Sequence, residues 1–465
     1  MTPRRPFLVL AVLAALLLAV APTAWAGKPG EVAAFKISAC PAAGSADLAP
    51  ASGEGVLVRT CKAGDRLGST LATVLPNGGL VRRPVPEAAA GPIAAGPAGE
   101  VWLAENPEYG PNGEGTAREV AIDRLAPDGT VERFPLGPSP QTTERKILGL
   151  VVAGDGTAWA ATGEPVVNPG GVNASVGGEL IRIAPDGIVS RFRVPGKVEP
   201  QGLALGSDGN LWFTGVERRY QTEHTSSSGT GRIGQMTPTG EFNFSGQTLG
   251  LPRAIAAAPD GRLWFTETAT LVNLLGTIDT GGSLGEIYPV YWGLQGGLTF
   301  GPEGDAWVST SSGLVRLTSS GQQTDYPGSP VAVAAGAEGD IWALERKGVT
   351  RVTPGGPGID VMSLTSHPGS RMLGIVLGCG GSRRCEGILE LRVPARGAKK
   401  APVLLARQRY SVPAEARRAR ALTASPEAYA LARRYPHTVP IIVHATVAGG
   451  PTLERQAWVH SLLRK

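Results

Sequence analysis

One repeated pattern constrains the fold of this chain more strongly than any other feature. In six segments, small apolar residues lead into a tight turn of the Asp-Gly type, and an apolar stretch centred on a Trp follows the turn. Each segment predicts a β-hairpin, because two apolar runs joined by a short Gly-containing turn pair as antiparallel strands. The Trp residues of these hairpins are Trp102, Trp159, Trp212, Trp264, Trp307 and Trp342.

Hairpins of a second kind lie between the Trp hairpins, at residues 122–135, 180–195, 233–244 and 314–326. Two hairpins supply four strands. Successive Trp residues lie 35 to 57 positions apart, which brackets the ~40–50 residues of one four-stranded propeller blade. The fixed place of the Trp residues in the repeat indicates that they pack between blades rather than stack on a ligand.

The segment before the first Trp hairpin leaves the number of blades open. Strand-like runs at 35–37 and 56–59 precede a hairpin at 71–86. That hairpin either completes a blade begun by the two runs or closes the ring against the last blade. We predict an all-β chain that contains a seven-bladed β-propeller, with six blades as the alternative.

The composition agrees with many short strands. Gly and Pro number 65 and 39 in 465 residues, and both exceed their usual levels of about 7% and 5%. They are spread along nearly the whole chain, as turn residues would be. Hydrophobic residues make up 42% and charged residues 18%, which supplies a large core and excludes a solvated disordered polymer.

The N-terminus has the features of an export signal. Two Arg at positions 4 and 5 precede an apolar run at 7–20, and Ala-Trp-Ala at 24–26 fits a cleavage site. We expect a signal peptide over residues 1–26 and a secreted, periplasmic or cell-envelope protein. The Arg pair also fits a twin-arginine signal, which leaves the export route open. No second apolar run is long enough to span a membrane.

Four Cys in an exported chain of this size predict two disulfides. The local pairing joins Cys40 to Cys61 and Cys379 to Cys385, the second pair being only six residues apart. There is no Cys-x-x-Cys motif and no Cys/His cluster in the sequence, so a zinc site is not expected.

Two of the Trp hairpins carry a more specific resemblance. Leu-Trp-Phe-Thr-Gly at 211–215, Leu-Trp-Phe-Thr-Glu at 263–267 and the intervening Arg-Ile-Gly-Gln-Met-Thr-Pro-Thr-Gly at 232–240 resemble the streptogramin lyase family, also called virginiamycin B lyases. The resemblance extends over residues 70–358 or so. It implies a seven-bladed propeller and the opening of the cyclic ester of type B streptogramins by magnesium-assisted elimination.

The same resemblance indicates where catalytic residues should stand. Active family members place a His directly after Pro at the start of two successive Trp hairpins, and those positions are Gln201 and Arg253 here. A family Glu two residues before the second His corresponds to Leu251, whereas the Glu that ends Trp-Phe-Thr-Glu is present as Glu267. The resemblance therefore implies Glu267 as the one retained catalytic residue, with Gln201 and Arg253 as ligand-binding residues.

Neither of two other motifs replaces the missing base. Of the five His in the chain, only His224 falls within the propeller repeat, in a Ser- and Gly-rich insertion at 217–231, where a solvated loop His is expected. The segment 281–285 satisfies G-x-S-x-G. It lies in an outer hairpin turn rather than between a strand and a helix, so a hydrolase nucleophile is not expected there.

Three Trp strands end in a carboxylate, at Glu105, Glu267 and Glu345. Equivalent positions in a propeller form a ring around its axis. Three carboxylates at one mouth would favour a hard cation such as magnesium or calcium, and Glu105 and Glu345 would then also be ligand-binding residues. The alternative is that these Glu are solvated strand ends or pair with Arg253.

A basic module follows the propeller. Residues 360–465 contain 17 Lys and Arg against 6 Asp and Glu, whereas the 25 basic and 33 acidic residues of 27–359 give that part a net charge of −8. Strand-like runs at 373–377, 387–393, 403–412, 439–447 and 455–462 predict a small immunoglobulin-like β-sandwich. The domains are therefore predicted as a signal peptide over 1–26, the propeller over 27–358 and the sandwich over 359–465.

Within this module, a Ser-Pro-Glu start at 425–427 predicts one short capped helix. The basic charge of the whole module could bind an anionic cell-wall polymer or lipid headgroup, dock on the acidic propeller, or serve only to keep the module soluble. Nucleic acid is not expected, because aromatic residues are not interleaved with the Arg.

Two functions fit these observations. The first is a monomeric, exported propeller that lacks the full catalytic set and binds a small-molecule or cell-envelope ligand. The alternative is a metal-assisted carbon–oxygen lyase that opens a lactone-like substrate such as a type B streptogramin, using Glu267 and magnesium.

Overall fold

The computed structural model of the chain describes most of the residues after position 30. These are 31–37, 48–62, 65–85, 91–106, 120–137, 145–167, 173–218, 229–269, 272–290, 293–318, 321, 323–345, 348–354, 358–366, 369–380, 384–394, 401–413, 416–435, 438–448 and 453–460.

Six four-stranded antiparallel sheets of this structure each use consecutive strands. The strands of the first three are β2 (Leu48–Pro50), β3 (Val56–Lys62), β4 (Asp65–Val74) and β5 (Leu80–Pro84); β6 (Ile93–Ala95), β7 (Val101–Glu105), β8 (Ala121–Leu125) and β9 (Val131–Pro135); and β10 (Lys146–Val152), β11 (Ala158–Val167), β12 (Asn173–Ile183) and β13 (Val189–Arg193).

The next three sheets repeat the same order after a single 3₁₀ turn at Pro195–Lys197. Their strands are β14 (Val198–Leu205), β15 (Leu211–Arg218), β16 (Gly229–Met236) and β17 (Phe242–Gln247); β18 (Leu251–Ala257), β19 (Leu263–Thr268), β20 (Asn273–Ile278) and β21 (Leu284–Val290); and β22 (Leu294–Phe300), β23 (Ala306–Thr310), β24 (Gly313–Leu317) and β25 (Gln323–Pro327).

A further four-stranded sheet joins the two ends of the propeller. It consists of β26 (Pro330–Ala335), β27 (Ile341–Glu345), β28 (Gly348–Val352) and, from the start of the chain, β1 (Val32–Lys36). The first strands contact each other in the order β2, β6, β10, β14, β18, β22 and β26, and β26 returns to β2. In the part of the chain that is described, seven four-stranded sheets thus surround one axis, and the predicted all-β propeller is confirmed.

The Trp residues of the repeat fill the space between neighbouring sheets. Trp102 is fully buried and shares an apolar cluster with Ile147 and Ile181 of the next sheet. Trp212 does the same with Ile255 and Phe265. Burying a large aromatic between two sheets removes much apolar surface from water and fixes their spacing.

The turns of the Trp hairpins use Gly for its backbone freedom. Gly209 and Gly261 have φ values of 77° and 86°, a left-handed conformation that residues with a Cβ rarely adopt. The preceding Asp side chains close the turns: Asp208 accepts a hydrogen bond from the N–H of Asn210 at 3.1 Å, and Asp260 accepts one from the N–H of Arg262 at 3.0 Å. The high Gly content is therefore explained in part by hairpin turns that require a positive φ.

The C-terminal residues form two sheets that share one apolar core. The first contains β29 (Gly358–Ser366), β30 (Met372–Gly380) and β33 (Arg417–Thr423), and the second contains β32 (Val403–Val412), β31 (Cys385–Val393), β34 (Thr438–Val447) and β35 (Leu453–His460).

These sheets are joined to each other and to the propeller. The predicted disulfide between Cys379 and Cys385 is present and links β30 to β31, whereas Cys40 of the proposed Cys40–Cys61 pair lies outside the described residues. The predicted helix is α1 (Pro426–Ala432), capped by the Ser425 side chain. Strand β25 of the propeller contacts β29 and β35. Over the described ranges, no helix is both long and apolar enough to cross a membrane.

Candidate functional site

The first strands of two neighbouring propeller sheets bulge at the same point of the repeat. The register of β14 against β15 shifts between Pro200 and Leu203, and that of β18 against β19 shifts between Pro252 and Ile255. A bulge turns one side chain out of the regular alternation and commonly aims it at a site.

Gln201 and Arg253, the two residues predicted from the family's His positions, stand in these bulges and line one cavity on the propeller axis. The cavity has a volume of about 210 Å³, and no acidic residue or His is among the described residues that line it. Gln295 is the third polar side chain that lines the cavity, and the remaining walls are largely apolar. The larger apolar residues of the walls are Leu148, Leu150, Leu203, Ile255, Leu298, Val331 and Val333.

A buried hydroxyl group connects the two bulges. Thr214, on β15, is fully buried. Its Oγ1 accepts a hydrogen bond from the N–H of Gly202 at 2.9 Å and donates one to the carbonyl oxygen of Arg253 in the next sheet. The positions of Gln201 and Arg253 are therefore coupled through one side chain.

Thr266 repeats part of this arrangement one sheet further on, because its Oγ1 accepts a hydrogen bond from the N–H of Ala254 at 3.0 Å. Sequence reasoning used the Trp-Phe-Thr runs only as marks of resemblance and missed what their Thr residues do. The available signal was the Thr two positions after the Trp in adjacent repeats.

Close approach of the first strands depends on Gly. A Cβ on Gly202 would lie 2.4 Å from the carbonyl oxygen of Arg253, and one on Gly149 would lie 2.5 Å from the carbonyl oxygen of Gln201. Real Cβ atoms do not approach backbone oxygens this closely. The two Gly residues thus allow three successive first strands to converge around the cavity.

Gln201 and Arg253, two of the three polar residues that line the cavity, differ in how they are held. The Gln201 amide donates a hydrogen bond from Nε2 to Oε1 of Glu199 at 2.8 Å, and Glu199 is itself buried. The Arg253 side chain is exposed, and it makes no hydrogen bond or ion pair with any residue that the structure describes. Its guanidinium group is therefore available to a ligand.

Glu267 lies one strand further from the axis, opposite Pro252 in the ladder between β18 and β19. It is 3% exposed, and its Oε1 has no hydrogen-bond partner among the described residues. Burial raises the pKa of this carboxyl above its ordinary value, and the neighbouring backbone N–H groups of Gly250 and Leu249 oppose the rise. Glu267 thus faces the turn that leads into the Arg253 bulge and does not line the cavity.

The other two strand-end carboxylates are bound within their own sheets. Glu105 forms an ion pair with Arg133 at 2.7 Å, and Glu345 accepts a hydrogen bond from Thr350 Oγ1 at 3.1 Å. Neither Glu lines the axial cavity.

The structure does not bring the predicted metal ligands Glu105, Glu267 and Glu345 together, and in the described part of the chain no three Asp, Glu, His or Cys side chains are grouped to hold a metal ion. All three lie on second strands, and the first strands stand between them and the axis. The alternative pairing with Arg253 is not formed either. His224 lies outside the described residues.

The comparisons with known proteins agree with this geometry. Residues 172–381 match the family model described as the Virginiamycin B lyase family. The propeller is virginiamycin B lyase-like. No curated protein sequence matches the chain.

Solved structures support the same fold. A streptogramin B lyase is 20% identical with a TM-score of 0.52, and the match covers 69% of this chain and 97% of that one. Selenomethionine-substituted virginiamycin B lyase from Staphylococcus aureus is 21% identical with a TM-score of 0.52 and coverages of 70% and 99%. At this level of identity the likeness establishes the fold of the lyase-like propeller and not its reaction.

A buried acid pair in the lyase-like propeller predicts a dependence of stability on pH. Asp123 is fully buried, and its pKa is raised to about 7 by burial, then by a hydrogen bond with Glu105 and the charge of Glu105, against the lowering effect of Arg133 and Arg59. Between the unfolded pKa of about 4 and pH 7, the folded protein holds a proton that the unfolded chain has lost. Stability contributed by this group is therefore present below that window and falls as pH rises through it.

We expect Asp123→Asn to reduce this fall, because an amide cannot ionise. Melting temperatures of the variant and wild type at pH 5 and pH 8 measure the effect. Asp128→Asn is the control, because Asp128 is exposed and its pKa is lowered by hydrogen bonds from Thr130. An equal drop in melting temperature for wild type and Asp123→Asn would contradict the assignment.

Proposed function

We propose that this chain is an exported, virginiamycin B lyase-like propeller that binds a small ligand in its axial cavity without opening streptogramins. The observation that carries the proposal is the pair of residues at the two bulges, Gln201 and Arg253. A Gln side chain does not titrate, and an Arg stays protonated in proteins. Neither can act as the base or acid that elimination of a cyclic ester requires.

The solved relatives offer a parallel for binding without turnover. One is a catalytically inactive virginiamycin B lyase from Staphylococcus aureus in which a His is replaced by Ala, crystallised with quinupristin; it is 21% identical with a TM-score of 0.50, over 70% of this chain and 99% of that one. That protein lacks a His, is catalytically inactive and was crystallised with quinupristin. We propose a separation of binding from chemistry here.

The described residues do not fit a magnesium site, because no three carboxylate or imidazole groups are brought together. We therefore derive no step through a metal ion. The alternative function, a lyase for a lactone-like substrate, keeps one supporting observation, the buried Glu267 with its raised pKa. We rank it second because this carboxyl does not line the cavity.

Incubation of the purified protein with a type B streptogramin and magnesium tests the choice between these functions. We expect linear product to form only at the uncatalysed rate, measured by liquid chromatography and mass spectrometry. Staphylococcus aureus virginiamycin B lyase serves as the positive control. Ring opening above the uncatalysed rate that is abolished in Glu267→Gln would overturn the proposal in favour of the lyase.

The proposal also includes location and domain organisation. We propose that residues 1–26 are removed on export, that 27–358 form the propeller, and that the basic residues 359–465 form a separate module at the envelope or outside the cell. Cell fractionation with and without residues 1–26 tests the export step, and retention of both forms in the cytoplasm would contradict it.

A further inference from the structure

We infer that the axial cavity selects ligands that carry a carboxylate on an apolar body, with Arg253 as the anchor of the carboxylate. The inference rests on the proposed function, because it names the class of ligand for the same cavity. It begins from the charge of the cavity. Arg253 is the one formally charged side chain among the described residues that line it.

None of the residues that the structure describes neutralises the charge of Arg253. Its side chain is exposed and has no ion pair or hydrogen bond with any of them. Glu199, in the neighbouring first strand, accepts a hydrogen bond from Gln201. A propeller whose residues 27–359 carry a net charge of −8 thus presents an unpaired cation at its axis, which favours an anionic ligand group.

The backbone around Arg253 is fixed before a ligand arrives. Its carbonyl oxygen accepts a hydrogen bond from Thr214, and the next N–H, that of Ala254, donates to Thr266 at 3.0 Å. The guanidinium therefore extends from a held backbone. A planar guanidinium binds a carboxylate through two parallel hydrogen bonds, which an alcohol or ester cannot match.

The rest of the cavity specifies the body of the ligand. Its walls are mainly Leu, Ile and Val side chains from five first strands, and its volume of about 210 Å³ lies below the 300–1,000 Å³ typical of drug-sized ligands. A short apolar chain fits this space better than a large polar ring. Carboxylate and apolar chain together describe an amphiphilic acid.

Octanoate and 1-octanol are suitable probes, because they share a chain length and differ in the charged group. We expect the purified protein to bind octanoate about 2–5-fold more tightly than 1-octanol, the preference that an ion pair with an exposed arginine predicts. In Arg253→Gln the preference should fall to about one. Titration calorimetry measures both affinities, and the preference of the wild type should shrink as salt is raised.

Arg82→Gln is the matched control. Arg82 is an exposed arginine on β5, away from the axial cavity, and its loss should leave the preference unchanged. Melting temperatures of both variants establish that each is folded.

The outcomes separate the inference from the proposed function. Equal binding of the two probes, unchanged in Arg253→Gln, would overturn the carboxylate inference and leave a neutral ligand site in place. A preference lost equally in Arg82→Gln and Arg253→Gln would overturn it as well, because the attraction would then belong to the whole surface. Binding of neither probe up to its solubility would overturn the inference, whereas ring opening of a streptogramin would overturn the proposed function.

Discussion

Replacement of Arg316 by Met is expected to lower the free energy of unfolding by about 3–5 kcal/mol, the usual cost of leaving a buried charge without its partner. The same replacement at Arg124 is expected to cost less than about 1 kcal/mol, as for exposed ion pairs. The two arginines occupy one position of the repeat. Arg316 lies opposite Trp307 in its ladder, and Arg124 lies opposite Trp102.

Burial is what separates the two sites. The Arg316 side chain is 2% exposed and pairs with Asp305, which is 11% exposed. Its Nε donates to Asp305 Oδ2 at 2.5 Å. The Arg124 side chain is 26% exposed, and its partner Glu132 is 45% exposed, so water solvates both charges when the pair is broken. Met retains much of the apolar stem of Arg in each case, which limits the loss of packing over the Trp.

Urea denaturation of the two variants measures the difference. A double variant, Arg316→Met with Asp305→Leu, provides a further control, because removing both charges should recover part of the loss. Equal costs at Arg316 and Arg124 would show that the repeat position alone, and not burial, determines the contribution of the arginine.

The repeat made the propeller predictable because its signals are local. A hairpin is specified by a turn and two apolar runs within about a dozen residues, and the Trp marks the same place in every copy. The closing strand is different. The sequence left open whether the hairpin at 71–86 completes a blade begun by the runs at 35–37 and 56–59 or closes the ring itself, because any edge strand offers the same unpaired N–H and C=O groups. In the structure Phe35 pairs with Val349, so β1 joins the last hairpin.

The sequence predicted which blades carry the candidate-site residues, but it did not predict how far from the propeller axis each residue lies. The family resemblance pointed to Gln201 and Arg253, and the structure places both in the lining of one cavity. Equivalent positions in the repeat did not bring Glu105 and Glu345 there, because a strand-end position on a second strand lies behind the first strand of its own sheet. Radial position depends on which strand carries the residue, so the ring of carboxylates was not formed.

Coupling between sheets could not be predicted from one repeat at a time. The contact of Thr214 with the carbonyl of Arg253 joins residues 39 positions apart in two different sheets. It depends on the bulge in β18, which no local turn signal marks. The family resemblance therefore pointed to the two cavity residues, and only the assembled ring shows what holds them.

Gly202, in the bulge of β14, is the site of the second large expected effect on stability. Gly202→Ala is expected to cost roughly 2–3 kcal/mol of unfolding free energy, the range for overpacking a tight site. The new Cβ would lie 2.4 Å from the carbonyl oxygen of Arg253 and 3.2 Å from the Cα of Ala254. Both are backbone atoms, which cannot move aside as a side chain can, so β14 and β18 would have to separate.

Gly154→Ala is the matched control, because a Cβ there meets nothing within 4 Å and the residue is not left-handed. An Ala at such a site is neutral or stabilises by about 0.4–1 kcal/mol through the unfolded chain. Separation of β14 from β18 would also break the hydrogen bond from Gly202 to Thr214, which is 2.9 Å long. We therefore expect Gly202→Ala to weaken octanoate binding as well as stability, while Gly154→Ala changes neither by much. Equal melting temperatures for the two variants would mean that the strands around the cavity yield to a methyl group, and the rigid positioning of Arg253 would then be wrong.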